Sequence, residues 1–314
     1  NSQVPSLLAA QRRGLTIKMD HLIRNWPITC LLILPITAQG ISQEPLDMAA
    51  DAFDDQYIGC RNHVDLLMEE ILKTEMSENK LLRRAWTEAE KIWTQQKKRK
   101  VECELPDGFR DNHGIALVAY SGFIKTYFNV AVKSAGRSYS DYLHRFHYKS
   151  LHFYLTVAVQ LLSDGCTKWH RIVFSGTESA HYTSNNTAHC VRFGHFLSTY
   201  TEKEQATVFG NGTVFTIRSC YGVEIEKFSQ FPHEEEVLVP GYEMFYVSHS
   251  HESNEITLET SGQTFSKFNC VLTGGRKYHP NQSEYFSSGT TGRILRAATT
   301  HLLLLLPLSI LTLV

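Results

Sequence analysis

The sequence lacks a surplus of either charge: 31 Lys and Arg face 32 Asp and Glu, a formal net charge of -1. That near-balance argues against a dedicated nucleic-acid binder, which carries a basic excess. No two cysteines have CxxC spacing, and the 15 histidines form no HExxH or other spaced ligand set, so no metal centre is expected. No internal repeat is visible, which excludes a solenoid or propeller. With 42% hydrophobic and 20% charged residues, the chain reads neither as a disordered tail nor as a multi-span membrane protein. A chain of 314 residues buries roughly 70–75% of its unfolded surface, so its core needs no dense disulfide framework. The seven cysteines therefore report on compartment.

Both ends carry addresses. Residues 19–40 read as a signal peptide: Met19, then His21 and Arg24, the apolar run Trp26 to Ala38 broken by Pro27 and Pro35, and small residues at Ala38 and Gly40. Residues 1–18 precede that Met and are set aside as upstream sequence. At the other end Ser287, Ser288 and Gly289 are consecutive small residues. A polar spacer with Arg293 and Arg296 follows, and the chain closes on the apolar run Leu302 to Val314. Small triplet, spacer and greasy tail form a glycosylphosphatidylinositol-attachment signal, with Ser288 as the attachment residue and 289–314 as the propeptide. The tail, about 13 residues, is short for a spanning helix, which needs ~20. A single mature domain, 41–288, is then expected at the extracellular face of the plasma membrane, held through its lipid. Cys30 leaves with the leader, and the six cysteines that remain suit an oxidising compartment. Sequons at Asn185, Asn211 and Asn281 agree.

The mature chain changes character near residue 165. Before it, apolar residues recur at helical spacing: Val64, Leu67, Ile71, Leu72, then Leu82, Trp86, Ile92, Trp93. Ala116 to Val132 and Tyr148 to Leu162 repeat the pattern. The run Lys97, Lys98, Arg99, Lys100 suits the negative end of a helix. After residue 165 the pattern becomes that of strands: 171–176, 190–193, 213–219, 223–227, 235–239, 242–248, 255–259 and 264–272. Helices followed by strands imply an α+β domain, a helical half on a largely antiparallel sheet, with a cleft where the halves meet.

The most unusual segment runs Pro232-His233-Glu234-Glu235-Glu236-Val237-Leu238-Val239-Pro240-Gly241. In an extended strand Glu234 and Glu236 share a face, where mutual repulsion and burial raise one pKa. Such a pair suits cleavage at a sugar carbon, one carboxylate stabilising an oxocarbenium-like centre while the other handles the nucleophile. An acidic solvent-facing turn before a strand is the other reading. Tyr120, Phe128, Tyr154 and Phe196 are candidates to line a nucleotide pocket, with aromatic core as the alternative.

This segment resembles the ExE motif of the vertebrate mono-ADP-ribosyltransferases, and further segments match that family in the same order. They are Ala52-Phe53-Asp54-Asp55-Gln56-Tyr57 with Cys60, Phe128-Asn129-Val130-Ala131, Tyr148 to Leu155, Val191 to Thr199, Ser219-Cys220-Tyr221-Gly222 and Asn269-Cys270. The likeness covers about residues 50 to 275. It implies a helical part packed on a β-sandwich with an NAD-binding cleft, NAD as substrate without a metal, and transfer of ADP-ribose to arginine-containing protein acceptors. It also implies roles. Ser198 would hold the nicotinamide-ribose half, Glu236 would be the catalytic carboxylate, and Glu234 would orient or deprotonate the guanidinium. Disulfides Cys60–Cys270 and Cys166–Cys220 follow from the same resemblance, leaving Cys103 and Cys190.

One position departs from the family. Where it has an Arg before Gly, this chain has Ser175 before Gly176 at the expected cofactor-binding strand. A hydroxyl supplies neither charge nor a bidentate fork, and losing a charged phosphate contact costs about 1.5–3 kcal/mol of binding. Arg171 and Arg192 lie nearby in sequence without being replacements. Beside the transferase, two alternatives stay open: a catalytically quiet surface glycoprotein on the same fold, and an NAD glycohydrolase.

Overall fold

The computed structural model describes residues 42–275, except 168–170, 179, 184–189, 209, 211 and 250–253. The leader, the tail with Ser288, and the sequon residues Asn185, Asn211 and Asn281 lie outside the described residues.

Helix α1 (Arg61–Glu78) buries Val64, Met68 and Leu72, one residue per turn. Asn79 follows it and caps α2 (Lys80–Ile92), its side chain accepting from the Leu81 and Leu82 N–H groups. A π-helical turn (Trp93–Lys97) and α3 (Lys98–Val101) extend that helix, so the basic run falls in its last turns as expected. The single helix expected over Ala116 to Val132 is instead two, α4 (Asp111–Tyr120) and α5 (Ile124–Ala135), bent by 98°. Gly122 permits the break, since a Cβ there would lie 2.4 Å from Gln230 Nε2. Gln230 then holds it, its side-chain amide donating to the Val118 carbonyl and its N–H to Ser121 Oγ. Helices α6 (Tyr139–Arg145) and α7 (Lys149–Leu162) complete this half, with α7 buried from Ser150 to Val159.

The strands are β1 (Ser42–Pro45), β2 (Arg171–Gly176), β3 (Ala180–Thr183), β4 (Leu197–Tyr200), β5 (Val214–Ser219), β6 (Val223–Glu224), β7 (Glu236–Val239), β8 (Glu243–His249) and β9 (Glu255–Thr264), with a short helix α8 (Lys203–Val208). Strands β1 and β3 pair in parallel. The others form one sheet in the order β6-β7-β4-β2-β5-β9-β8, antiparallel except for β5–β9. Val237 and Val239 near one edge share a core cluster with Phe245 of the other edge strand and with Val173, Phe215 and Ile217 between them. The sheet therefore curls over itself, which gives the expected sandwich. Its other face meets the helices through Leu238 and Val223, which belong to the helical cluster.

Four strand expectations change. Residues 190–193 contribute only a bridge, Val191 to Phe245. The segment 223–227 is a strand over two residues only, with one further bond from the Ile225 N–H to the Glu236 carbonyl, and β4 escaped the pattern altogether. Residues 265–272 leave the sheet after β9, because two buried carboxylates capture their backbone. Asp54 accepts from the Lys267 and Phe268 N–H groups, and Asp55 from those of Cys270 and Val271. Arg192 Nη2 lies 2.6 Å from Asp54 Oδ2, with both side chains fully buried. Desolvation holds both carboxyls above their ordinary range, opposed by these bonds. The disulfide Cys60–Cys270 fastens the same junction, Cys166–Cys220 forms as implied, and Cys103 and Cys190 remain thiols.

His152 sits among the rings of Phe53, Phe128, Phe146 and Phe196. Burial pushes its pKa from 6.5 down to about 3; its Nδ1 meets the Tyr57 hydroxyl at 2.8 Å. The unfolded chain takes up a proton here below about 6.5 that the folded chain refuses until about 3. Its stabilisation is thus complete above that upper value and lost as pH falls. Relative to His152→Gln, the wild type should lose about 1.4 kcal/mol per pH unit between roughly pH 6 and 4. Urea titrations at several pH values check this, and parallel profiles for the two proteins would refute it.

Candidate active site

The acidic segment does not form the extended strand expected of it. Pro232, His233 and Glu234 make a 3-10 turn, Glu235 is left-handed (φ 48°, ψ 44°), and β7 begins only at Glu236. Strand alternation therefore does not bring Glu234 and Glu236 together. The turn does: both are buried, at 8% and 1% exposure, near enough for one charge to act on the other. Desolvation first, and the Glu236 carboxylate second, push the Glu234 pKa up, while Lys125 and His233 pull it down. Glu235 points away and accepts from Thr201 Oγ1 at 2.9 Å.

Strand register supplies the third residue. Tyr200 pairs with Glu236 and Ser198 with Leu238 across β4–β7. Cross-strand partners share a face, so Ser198, Tyr200 and Glu236 all stand on the sheet face that meets the helices. The Tyr120 hydroxyl donates to the Phe196 carbonyl at 2.8 Å, and Asn129 Nδ2 donates to the same carbonyl at 2.9 Å, which pins the strand leading into Ser198. Burial, then the Glu236 charge, raise the Tyr120 pKa, so this phenol stays protonated as a donor. Three sequence-predicted residues, Ser198, Glu234 and Glu236, are thus brought together.

Ser175 is not among them. It pairs with Phe215 in β5 and shares its strand face with Val173, two residues of the second core cluster. Its hydroxyl donates to the Ser198 carbonyl at 3.1 Å, so it touches the site only through backbone. Gly176 answers a packing demand, since a Cβ there would lie 2.4 Å from the Ala206 carbonyl oxygen. Arg171 pairs with Glu224 and Arg192 with Asp54, so neither stands in for the expected Arg. The candidate pocket aromatics Tyr120, Phe128, Tyr154 and Phe196 are all buried in the helical core.

Lys125 is the residue that sequence reasoning missed. From the first turn of α5 its Nζ donates to Ser198 Oγ at 2.9 Å and lies 3.6 Å from Glu236 Oε1. That oxygen is buried and accepts no hydrogen bond among the described residues. A signal existed, because Lys125 is the one charged residue between Gly114 and Val132. An orphaned carboxylate oxygen of this kind fits a ribose hydroxyl donor or a cationic sugar carbon. A cavity of about 770 Å³ lined by Gln56, Arg61, Gln160, Tyr221 and Tyr242 is elsewhere, so chemistry rather than volume marks the site.

A serine and two unlike carboxylates at the seam between helices and a curled sheet define a site for glycosyl transfer through a sugar cation. The sequence matches the profile of NAD:arginine ADP-ribosyltransferases over residues 46–266. It is 38% identical over 248 residues to ecto-ADP-ribosyltransferase 5 of Bos taurus, covering 76% of this chain and 78% of the relative. It is 42% identical over 234 residues to T-cell ecto-ADP-ribosyltransferase 1 of Rattus norvegicus, covering 73% and 80%. The fold superposes on the crystal structure of the mono-ADP-ribosyltransferase ART2.2 with a TM-score of 0.64 at 39% identity, over 72% of this chain and 98% of that one. A variant of ART2.2 in complex with NAD superposes with a TM-score of 0.63. The chain belongs to the NAD:arginine ADP-ribosyltransferase family.

Because the carboxylate pair depends on the left-handed Glu235, a β-branched residue there should disturb it. Glu235→Val is expected to cost about 1–2 kcal/mol in denaturant unfolding, and Glu235→Gly to cost less. Equal stability of the two variants would contradict the assigned role of that backbone turn.

Proposed function

We propose that Ser198, Glu234 and Glu236 carry the transfer of ADP-ribose from NAD to an arginine guanidinium, at the outer cell surface. The buried Oε1 of Glu236, which accepts no hydrogen bond among the described residues and has only the Lys125 ammonium at 3.6 Å, carries this reading. In the step proposed, the bond between ribose and nicotinamide breaks and its electron pair leaves with neutral nicotinamide. Positive charge then builds on the sugar opposite Glu236, in a setting where water cannot screen the attraction. Ser198 holds the nicotinamide-ribose half. A guanidinium nitrogen attacks the anomeric carbon, and its proton passes to Glu234. A base for so weak an acid gains from a raised pKa, the direction in which burial and Glu236 push Glu234. No group of His, Cys, Asp and Glu suited to a metal occurs among the described residues, and the chemistry written here needs none.

The relatives are named ecto-enzymes, which supports an extracellular location. We place the attachment to the membrane in the C-terminal signal, through a glycosylphosphatidylinositol anchor at Ser288 after removal of 289–314, with glycans at Asn185, Asn211 and Asn281. Phosphatidylinositol-specific phospholipase C should then release the protein from cells, and retention on treated cells would exclude that anchor.

Adenylate-labelled NAD with an arginine-rich acceptor tests the chemistry. Label fixed in the acceptor is expected, lowered roughly 10²–10³-fold by Glu236→Gln. Glu234→Gln should lose labelling of arginine while still binding NAD. Free ADP-ribose without labelled acceptor would make the protein a glycohydrolase, and absence of any turnover would leave a recognition glycoprotein.

A further inference from the structure

Lys125 stands where the 98° bend between α4 and α5 brings the first turn of α5 against β4 and the start of β7. Its side chain, 28% exposed, lies beside a Glu236 side chain that is only 1% exposed. This arrangement suits the empty site, because a buried carboxylate without a counter-charge is costly. It does not suit the reaction. A carboxylate already neutralised by a neighbouring ammonium offers little to a sugar that is becoming positive, and the ammonium itself repels that sugar. The ammonium therefore has to leave Glu236 before the bond to nicotinamide breaks.

A destination is built into the substrate. The diphosphate of NAD is attached through the 5′ carbon of the same ribose, within the sweep of a flexible lysine stem. Ser175, where the family places an Arg, faces the second core with its hydroxyl engaged. Lys125 is a cation that already reaches Ser198 and Glu236 from the helical side. Resting on the NAD-dependent reading of the site, we propose that Lys125 is a diphosphate-binding residue of this chain, moving from Glu236 to the nucleotide when NAD enters. One side chain thus guards the carboxylate in the empty enzyme and exposes it in the loaded one. The anion that attracts Lys125 also removes the charge that would oppose catalysis.

Calorimetric titration separates this assignment from a structural role. ADP-ribose keeps the diphosphate and lacks nicotinamide, whereas nicotinamide riboside has no phosphate. Lys125→Met should bind ADP-ribose about 10–100-fold more weakly than the wild type. Its affinity for the cationic nicotinamide riboside should not fall, since no phosphate contact is lost and the ammonium that opposes positive charge beside Glu236 is gone. Lys125→Arg should recover most of the ADP-ribose affinity, and the surface variant Lys73→Met should match the wild type. Unchanged or tighter ADP-ribose binding by Lys125→Met would show a plug rather than a ligand and overturn the proposal alone. Equal weakening towards both ligands would overturn it too, as the mark of a disturbed fold. A wild-type protein that binds neither NAD nor ADP-ribose would remove the NAD reading together with it.

Discussion

The interaction on which the architecture depends is the buried carboxylate clasp of Asp54 and Asp55. Asp54 meets Arg192 and the N–H groups of Lys267 and Phe268, while Asp55 takes those of Tyr57, Cys270 and Val271. A clasp of this kind is not a large net source of stability, since burying three charges costs most of what their attraction returns. It specifies geometry. The Phe53 N–H bonds the Val132 carbonyl and the Gly136 N–H bonds the Asp51 carbonyl, so the segment bearing the clasp also fixes the end of α5. Arg192 lies six residues before Ser198 on the segment entering β4. The helix that carries Lys125 and the strand that carries Ser198 are therefore indexed to one buried point.

The site shows how one short segment makes two unlike carboxylates. Glu236 opens a strand and is sealed at 1% exposure, beside an ammonium and a serine. Glu234 lies on the turn before it, where burial and a like charge disfavour its ionised form. The left-handed Glu235 separates these environments, something a continuous strand would not do. The unlike settings of the two carboxylates thus follow from backbone conformation more than from residue type.

Much of this was legible in the sequence. The halves of the domain, strand β2 and the amphipathic helices follow from periodicity, because their apolar residues have a single core to face. The bend at Gly122 was not, since it is held by Gln230 from more than a hundred residues away. Nor was the release of 265–272 from the sheet, where alternation mimics a strand but two remote aspartates claim the backbone. For Glu234 and Glu236 the resemblance to the ExE motif points to the residues while strand alternation gives the wrong geometry, and Ser198 rests on resemblance alone. Lys125 stood out only as a lone charge in an apolar stretch, and its partners come from strands far along the chain. Spacing finds residues that act locally; it does not find partners assembled by topology.

The junction between Cys60 and Cys270 has a consequence for how the protein is made. The two cysteines are 210 residues apart, and Phe268 and Val271 belong to the same cluster as the helices. At 5–20 residues per second, roughly 10–40 s of translation separates them. For the later half of that time the complete helical half is on the growing chain, with part of its apolar lining exposed and one thiol unmatched. Vectorial folding, element by element from the first helix, is therefore closed to this domain. Its completion waits for the segment that follows the last strand.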